Sequence, residues 1–344
     1  MRIWFNKTFS TINAVFNNLR QSLPTGEVTI ICTHTHLTAT AFLAADEYYL
    51  EPEGLSSQDY LLWCLNFCKS HHVELFWPAK ESILISRQQH LFNNAGIQVL
   101  SVAKHNTLRL LNNKAHFYRE LPKKIAQCMD FVAVSNAEEF DRAIVELSEH
   151  HPTLCVKPAV SVYGLGFRIL DTQKDSITQL LEGTEYEIPI NELRLGMNNV
   201  PQFATLLVME HLGGAEWSVD CVGQYGRLLC AVQRKKSEIP GHGQLIDNNK
   251  DINEMVSRLT DYYQLNGIFN IQFKEGLHGV RLLEINPRPS GGFGMACLSG
   301  VNLAHIAWQS IIKSNITVPS IRYGTKVSEI NQPVVLCESL LPPA

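Results

Sequence analysis

Phe269-Asn270-Ile271-Gln272-Phe273-Lys274, then Glu275-Gly276-Leu277-His278-Gly279, then Val280-Arg281-Leu282-Leu283-Glu284-Ile285-Asn286-Pro287-Arg288: an alternating strand, a glycine-bearing turn and a returning strand. With period two, Phe269, Ile271 and Phe273 face one way, and Asn270, Gln272 and Lys274 face the other. The turn closes a hairpin. On the return, Leu282, Glu284 and Asn286 share a face opposite Arg281, Leu283 and Ile285. Pairing can bring Gln272 beside Glu284 and Asn286. Oxygen ligands of this kind suit a hard divalent cation, and magnesium needs few protein ligands because substrate phosphates supply others. An ordinary solvated hairpin face is the plainer reading. The rigid, glycine-rich Pro287-Arg288-Pro289-Ser290-Gly291-Gly292 that follows weighs against it.

Outward from the hairpin, the pattern from Ala204 onward favours antiparallel strands at Thr205 to Glu210, Trp217 to Val222 and Leu228 to Gln233, with a helix over Ile252 to Leu265. Val208-Met209-Glu210-His211-Leu212 runs from apolar into polar residues and then into Gly213-Gly214. Such a crossing can present backbone groups to an adenine edge and a carboxylate to an amino group or ribose. Glu216 lies just beyond. Further upstream the pattern predicts a strand at Phe131 to Val134, a helix over Ala137 to Leu147 and a short strand, Leu154 to Lys157, stopped by Pro158. Asn136 caps that helix, with Glu139 three residues on. Lys157 at a strand end can enter a cleft, although a surface charge is the commoner fate of one lysine. Ser161-Val162-Tyr163-Gly164-Leu165-Gly166 can turn its N–H groups toward an anion. It is neither a dinucleotide fingerprint nor a Walker loop. A helix over Thr107 to Glu120 carries Lys114.

The first hundred residues alternate strand and helix, the rhythm of a parallel α/β domain. Ligands of such domains bind beyond the carboxyl ends of the strands, here at Thr33-His34-Thr35-His36 and Pro78-Ala79-Lys80. Length points the same way. With 344 residues, 45% hydrophobic and 18% charged, the chain is globular and long enough for two or three domains. A formal charge of -4 offers no field for a nucleic-acid backbone. The basic run Arg234-Lys235-Lys236 reads as solvated surface. Nine scattered cysteines, without paired zinc spacing, suit a reducing compartment. No apolar run approaches membrane-spanning length, so a cytoplasmic protein is expected.

Taken in order, Lys114, Lys157, the glycine loop, the strand end Met209-Glu210-His211-Leu212 and the Gln272…Glu284-Ile285-Asn286-Pro287-Arg288 stretch resemble the ATP-grasp superfamily. Within it the likeness is to halves of the carbamoyl-phosphate synthase large subunit, to biotin carboxylase and to amino-acid and other carboxylate-amine ligases. Landmarks match from Thr107 to Ile311, and the first hundred residues fit only by pattern. The resemblance implies a parallel α/β domain (residues 1–106), an ATP-grasp fold of two α+β subdomains (107–203 and 204–320) and a tail (321–344). It implies that Lys114 and Lys157 contact ATP phosphates, with Gly164 and Gly166 in a phosphate loop. Glu210 and Leu212 would form the adenine hinge, and Glu216 would take the ribose hydroxyls. Gln272, Glu284 and Asn286 would hold magnesium, with manganese as the alternative ion. Arg288 and Lys157 would be catalytic, Arg288 stabilising the acyl phosphate or the incoming acid.

The activity so implied is an ADP-forming ligase that activates a carboxylate as an acyl phosphate for attack by an amine or similar nucleophile. The resemblance leaves a homodimer open. Two other readings stand beside it: a phosphotransferase of the same fold, which would release a stable phosphorylated product, and a non-catalytic ATP-binding scaffold. A nicotinamide dehydrogenase fits poorly, because Phe5-Asn6-Lys7-Thr8-Phe9 stands where a glycine fingerprint would be.

Overall fold

The computed structural model describes residues 1–7, 11–161, 164–239, 241–312 and 316–336. Thr8 and Phe9, the loop residues Val162 and Tyr163, and Cys337 therefore lie outside the described residues. Sixteen strands occur among the described residues: β1 (Arg2–Phe5), β2 (Thr29–His34), β3 (Glu47–Leu50), β4 (Leu75–Trp77), β5 (Gln98–Val99), β6 (Phe131–Val134), β7 (Leu154–Pro158), β8 (Arg168–Asp171), β9 (Glu187–Pro189), β10 (Leu206–Glu210), β11 (Glu216–Gln224), β12 (Arg227–Lys236), β13 (Gln244–Asp247), β14 (Gly267–Gly276), β15 (Gly279–Asn286) and β16 (Lys326–Val327). The chain forms two compact units. One comprises Met1–Arg109, Ala215–Gln272 and Ile285–Ala344, and the other Leu110–Gly214 and Phe273–Glu284.

In the first unit, β1 to β5 form a parallel sheet in the order β3-β2-β1-β4-β5. Both directions of winding start from β1, so the loops after β1 and β4 part at the strand ends, as in open α/β sheets. The helix Ile12–Ser22 buries Ile12, Val15, Phe16 and Leu19, the i, i+3, i+4, i+7 stripe of an amphipathic helix. The same hydrophobic cluster continues through Val222, Val232 and Ile268 to Phe293 and Trp308. Asn302 fastens it at the rim, its Nδ2 donating to the Asn18 carbonyl at 2.7 Å. A six-stranded sheet has the order β15-β14-β11-β12-β13-β16, of which β11, β12, β13 and β16 lie in this unit. The expected alternation holds in the first hairpin strand from Ile271 on: Ile271 and Phe273 are buried like Phe269, and Gln272 and Lys274 are half-buried, whereas Asn270 on the polar face is fully buried.

The second unit holds a five-stranded sheet, β6-β10-β7-β8-β9. β10 runs antiparallel between β6 and β7. The helix Ala137–Ser148 packs Phe140, Ala143 and Leu147 inward. Asn136 caps it as the sequence predicts, accepting from the Glu139 N–H at 2.9 Å. The Glu139 carboxylate reaches back one residue further than in a capping box, to the Ser135 N–H at 2.7 Å. The helix expected over Thr107 to Glu120 is two helices, His105–Asn112 and Lys114–Glu120. The break falls at Asn113, whose extended backbone and side-chain acceptor for the His116 N–H make it the cap of a new helix. Residues 82–94 likewise form two helices, Ser82–Arg87 and Gln89–Asn94.

The basic run is the clearest departure from expectation. Arg234 is 2% exposed and forms an ion pair with the fully buried Asp220 at 2.8 Å. It also donates to Ser218 Oγ at 3.0 Å, to Ser290 Oγ at 2.8 Å and to the Gln244 side chain. A Cβ on Gly292 would strike this guanidinium, so the Ser290-Gly291-Gly292 turn is shaped by it. Period two explains the burial, since Arg234 follows the buried Cys230 and Val232 on one face of β12. Removing one member of a buried pair strands the other. Arg234→Met should therefore lower unfolding free energy by about 3–5 kcal/mol, read by urea denaturation, and adding Asp220→Asn should restore part of the loss. A loss under about 1 kcal/mol, the range of exposed pairs, would contradict the burial argument.

Candidate active site

In the second unit, three charged side chains from separate elements converge. Lys114 opens the helix Lys114–Glu120 and is 7% exposed. Its Nζ donates to the Ser161 carbonyl at 2.8 Å and lies 3.5 Å from a Glu284 carboxylate oxygen. Its backbone N–H donates to the Ala159 carbonyl at 2.9 Å, so the helix start is stitched to the chain just after β7. Lys157, on β7, donates from Nζ to the Tyr118 hydroxyl at 2.8 Å. Tyr118 in turn donates to the Leu283 carbonyl, next to Glu284 on β15. Desolvation pulls the Lys157 ammonium down to about 8, with Lys114 adding to the fall and Glu284 opposing it. Two amines gathered where Lys114 pairs with Glu284 and Lys157 is held by Tyr118 offer the positive charge that an anion site requires.

The glycine loop starts beside these amines. Gly164 and Gly166 both have positive φ, 67° and 81°. At Gly166 a Cβ would also stand 2.8 Å from the Pro158 ring. Only glycine lets the loop fold back so closely on the end of β7.

The segment expected to form the adenine hinge lies at the end of β10. Glu210 is 8% exposed and Leu212 is buried. The Glu210 N–H donates to the Asp130 carbonyl at 3.0 Å, the His211 N–H to Thr153 at 3.0 Å and the Gly214 N–H to Glu275 at 3.1 Å. These bonds hold the crossing against the rim of a pocket of about 390 Å³, lined by His151, Thr153, Glu210, His211, Gly214 and Leu277 among others. His151 stands between carboxylates, with Nε2 3.0 Å from Asp130 and Nδ1 3.8 Å from Glu210. Desolvation holds the His211 imidazole below its ordinary pKa, with Lys274 adding to the effect.

The remaining predicted residues divide between the units. Glu216, Gln272, Asn286 and Arg288 belong to the first, and Glu284 to the second. Glu216 opens β11 and pairs with Lys236. Asn286 closes β15, its Nδ2 3.5 Å from the Oδ1 of the buried Asn270. Arg288 donates to the Pro289 carbonyl at 3.1 Å. Sequence reasoning missed Tyr118 and His151. Tyr118 stands four residues after Lys114, the spacing that shares a helix face, and that signal was available. Nothing local marks His151.

A family profile described as "ATP-grasp in the biosynthetic pathway with Ter operon" matches residues 202–333. The arginine-specific large chain of carbamoyl phosphate synthase from Geobacillus stearothermophilus is 22% identical over 321 residues, 90% of this chain. Among solved structures, N5-carboxyaminoimidazole synthetase from Staphylococcus aureus superposes with a TM-score of 0.65 at 11% identity, over 93% of this chain and 80% of that one. The chain has an ATP-grasp fold. A second ATP-grasp likeness is to the biotin carboxylase domain of Hydrogenobacter thermophilus 2-oxoglutarate carboxylase, with a TM-score of 0.61 at 13% identity, covering 94% of this chain and 71% of that one. That crystal structure contains MgADP and bicarbonate. The chain spans 28% of the length of its carbamoyl phosphate synthase relative. No helix among the described residues is long and apolar enough to cross a membrane.

Proposed function

We propose that this chain is an ATP-dependent, magnesium-requiring, ADP-forming ligase that activates a small-molecule carboxylate as an acyl phosphate for attack by an amine or similar nucleophile. The observation that carries the reading is the gathering of two buried amines beside a glycine turn, Lys114 paired with Glu284 and Lys157 tied through Tyr118 to the Leu283 carbonyl next to Glu284. Nucleotide phosphates answer that positive charge. The pocket at Glu210 and His211 has the size and polar rim for an adenine, and Glu216 serves the ribose.

Gln272, Glu284 and Asn286 fit magnesium by chemistry, one carboxylate and two amide oxygens being hard donors. Glu284 and Asn286 are separated by one residue on β15, so both side chains leave the same face of the strand. Magnesium, when bound, neutralises charge on the transferring phosphoryl group. The protein's own part is positioning. Lys114 and Lys157 hold the phosphates, and the glycine loop covers them. Arg288 presents a planar fork to the acid. An oxygen of the acid bonds to the terminal phosphorus and ADP leaves. The nucleophile then bonds to the carbonyl carbon, and phosphate leaves with the acid's oxygen as the nucleophile sheds a proton. Buried free thiols among the described residues fit a reducing, cytoplasmic setting.

Calorimetry with ATP and GTP, with and without magnesium, tests the nucleotide site. The expected result is ATP binding that strengthens at least about tenfold with magnesium and exceeds GTP binding by a similar factor, equal to about 1.4 kcal/mol each. Equal affinity for GTP, or indifference to magnesium, contradicts it. An ADP-release screen over acid and amine mixtures, with mass analysis, tests the reaction. A stable phosphorylated acid formed without a nucleophile would instead make the protein a phosphotransferase.

A further inference from the structure

We propose that Tyr118 is a positioning residue that aims Lys157 at the nucleotide's phosphate chain. The inference rests on Lys157 being a phosphate ligand. A lysine ammonium sits on a flexible four-carbon stem with three rotatable donors, so a strand position alone does not fix where it points. Tyr118 does. Its ring is 4% exposed and sits edge-on to Phe131, centroids 5.3 Å apart, with Phe117 at 5.7 Å. Its hydroxyl hydrogen is committed to the Leu283 carbonyl, which turns the oxygen lone pairs toward the Lys157 ammonium at 2.8 Å. One hydroxyl thus ties β7 to β15 through the helix that also carries Lys114.

The helix makes the arrangement coherent. Lys114 and Tyr118 are four residues apart and share a face. One turn of helix therefore supplies one amine itself and orients the second. A tyrosine serving only the core would need one partner for its hydroxyl, and the Leu283 carbonyl would suffice. Its second bond, accepted from an ammonium that burial otherwise penalises, is what packing does not require.

Tyr118→Phe keeps the ring and deletes the oxygen. Loss of a hydrogen bond to a charged group should weaken ATP and ADP binding about tenfold and leave adenosine binding within twofold. In a Lys157→Met background, Tyr118→Phe should add less than twofold, because no ammonium is left to aim. Equal weakening for adenosine and ATP, unchanged ATP affinity, or the full loss persisting without Lys157 would each overturn the proposal. Should Tyr118→Phe not fold, nitrogen NMR of lysine-labelled unaltered protein decides. A Lys157 ammonium held by Tyr118 gives an exchange-protected signal that Lys157→Met removes, and its absence overturns the proposal. Failure of the unaltered chain to bind ATP at all would overturn the ligase reading and this inference together. Normal ATP affinity in Lys157→Met would overturn the inference while leaving the ligase reading in place.

Discussion

Lys157→Ala should fold and fail to turn over ATP. The loss expected is on the order of a hundredfold or more, the scale of removing one preorganised donor from a site where charge develops. The substitution removes an ammonium that burial already disfavours, so it relieves a desolvation cost as it deletes the contact with Tyr118. Circular dichroism and the thermal midpoint should therefore stay near those of the unaltered chain, while ADP release falls. The lysine stem covers the end of β7, and its truncation costs some packing. Lys157→Met keeps most of that cover without the charge and should reproduce the catalytic loss. Normal turnover in either folded variant would reject the role given to Lys157.

What the sequence disclosed and what it withheld follow from the range of each signal. Period two in Phe269 to Lys274 grouped the side chains by face, because alternation is a property of one strand, although Asn270 on the polar face is buried as well. The cap at Asn136 was readable because a cap and its N–H partner lie three residues apart. Arg234 was misread because composition was allowed to outweigh period: a run of three basic residues suggests water, but alternation along β12 puts the first of them on the buried face. The break at Asn113 was missed for a related reason. Apolar spacing continues through it, and the cap lies in one extended residue that the spacing does not register. The partner of a strand is harder still. β10 reads as one more member of the antiparallel run that follows it, yet it pairs with β6 and β7, and hydrophobic period identifies a face without identifying a neighbour. Likewise each of Lys114, Lys157 and Glu284 alone reads as surface charge. What distinguishes them is proximity between residues more than a hundred positions apart.

Glu284→Gln and Arg288→Lys should fail in different ways. Glu284 is the one anionic member of the oxygen set with Gln272 and Asn286. Glutamine keeps its size and an oxygen, and the Lys114 amine retains an acceptor, so the fold should survive. Without the carboxylate, every ATP-consuming activity should drop on the order of a hundredfold or more, partial reactions included, because phosphate charge must be neutralised before any transfer. Arg288→Lys keeps the charge but loses the planar fork that matches a carboxylate or phosphate. ATP affinity should stay within about twofold, and acid-dependent transfer should fall about tenfold or more, the worth of a charge-assisted pair. Oxygen-18 in the acid's carboxylate separates these steps. The acid's oxygen attacks phosphorus and leaves with it when the nucleophile arrives, so label should appear in released phosphate in proportion to product. Product formed without label transfer would rule out an acyl phosphate. If label does transfer but Arg288→Lys weakens ATP binding as severely as Glu284→Gln does, the acyl-phosphate route stands and the separate role of Arg288 falls, since its guanidinium would then be serving the nucleotide rather than the acid.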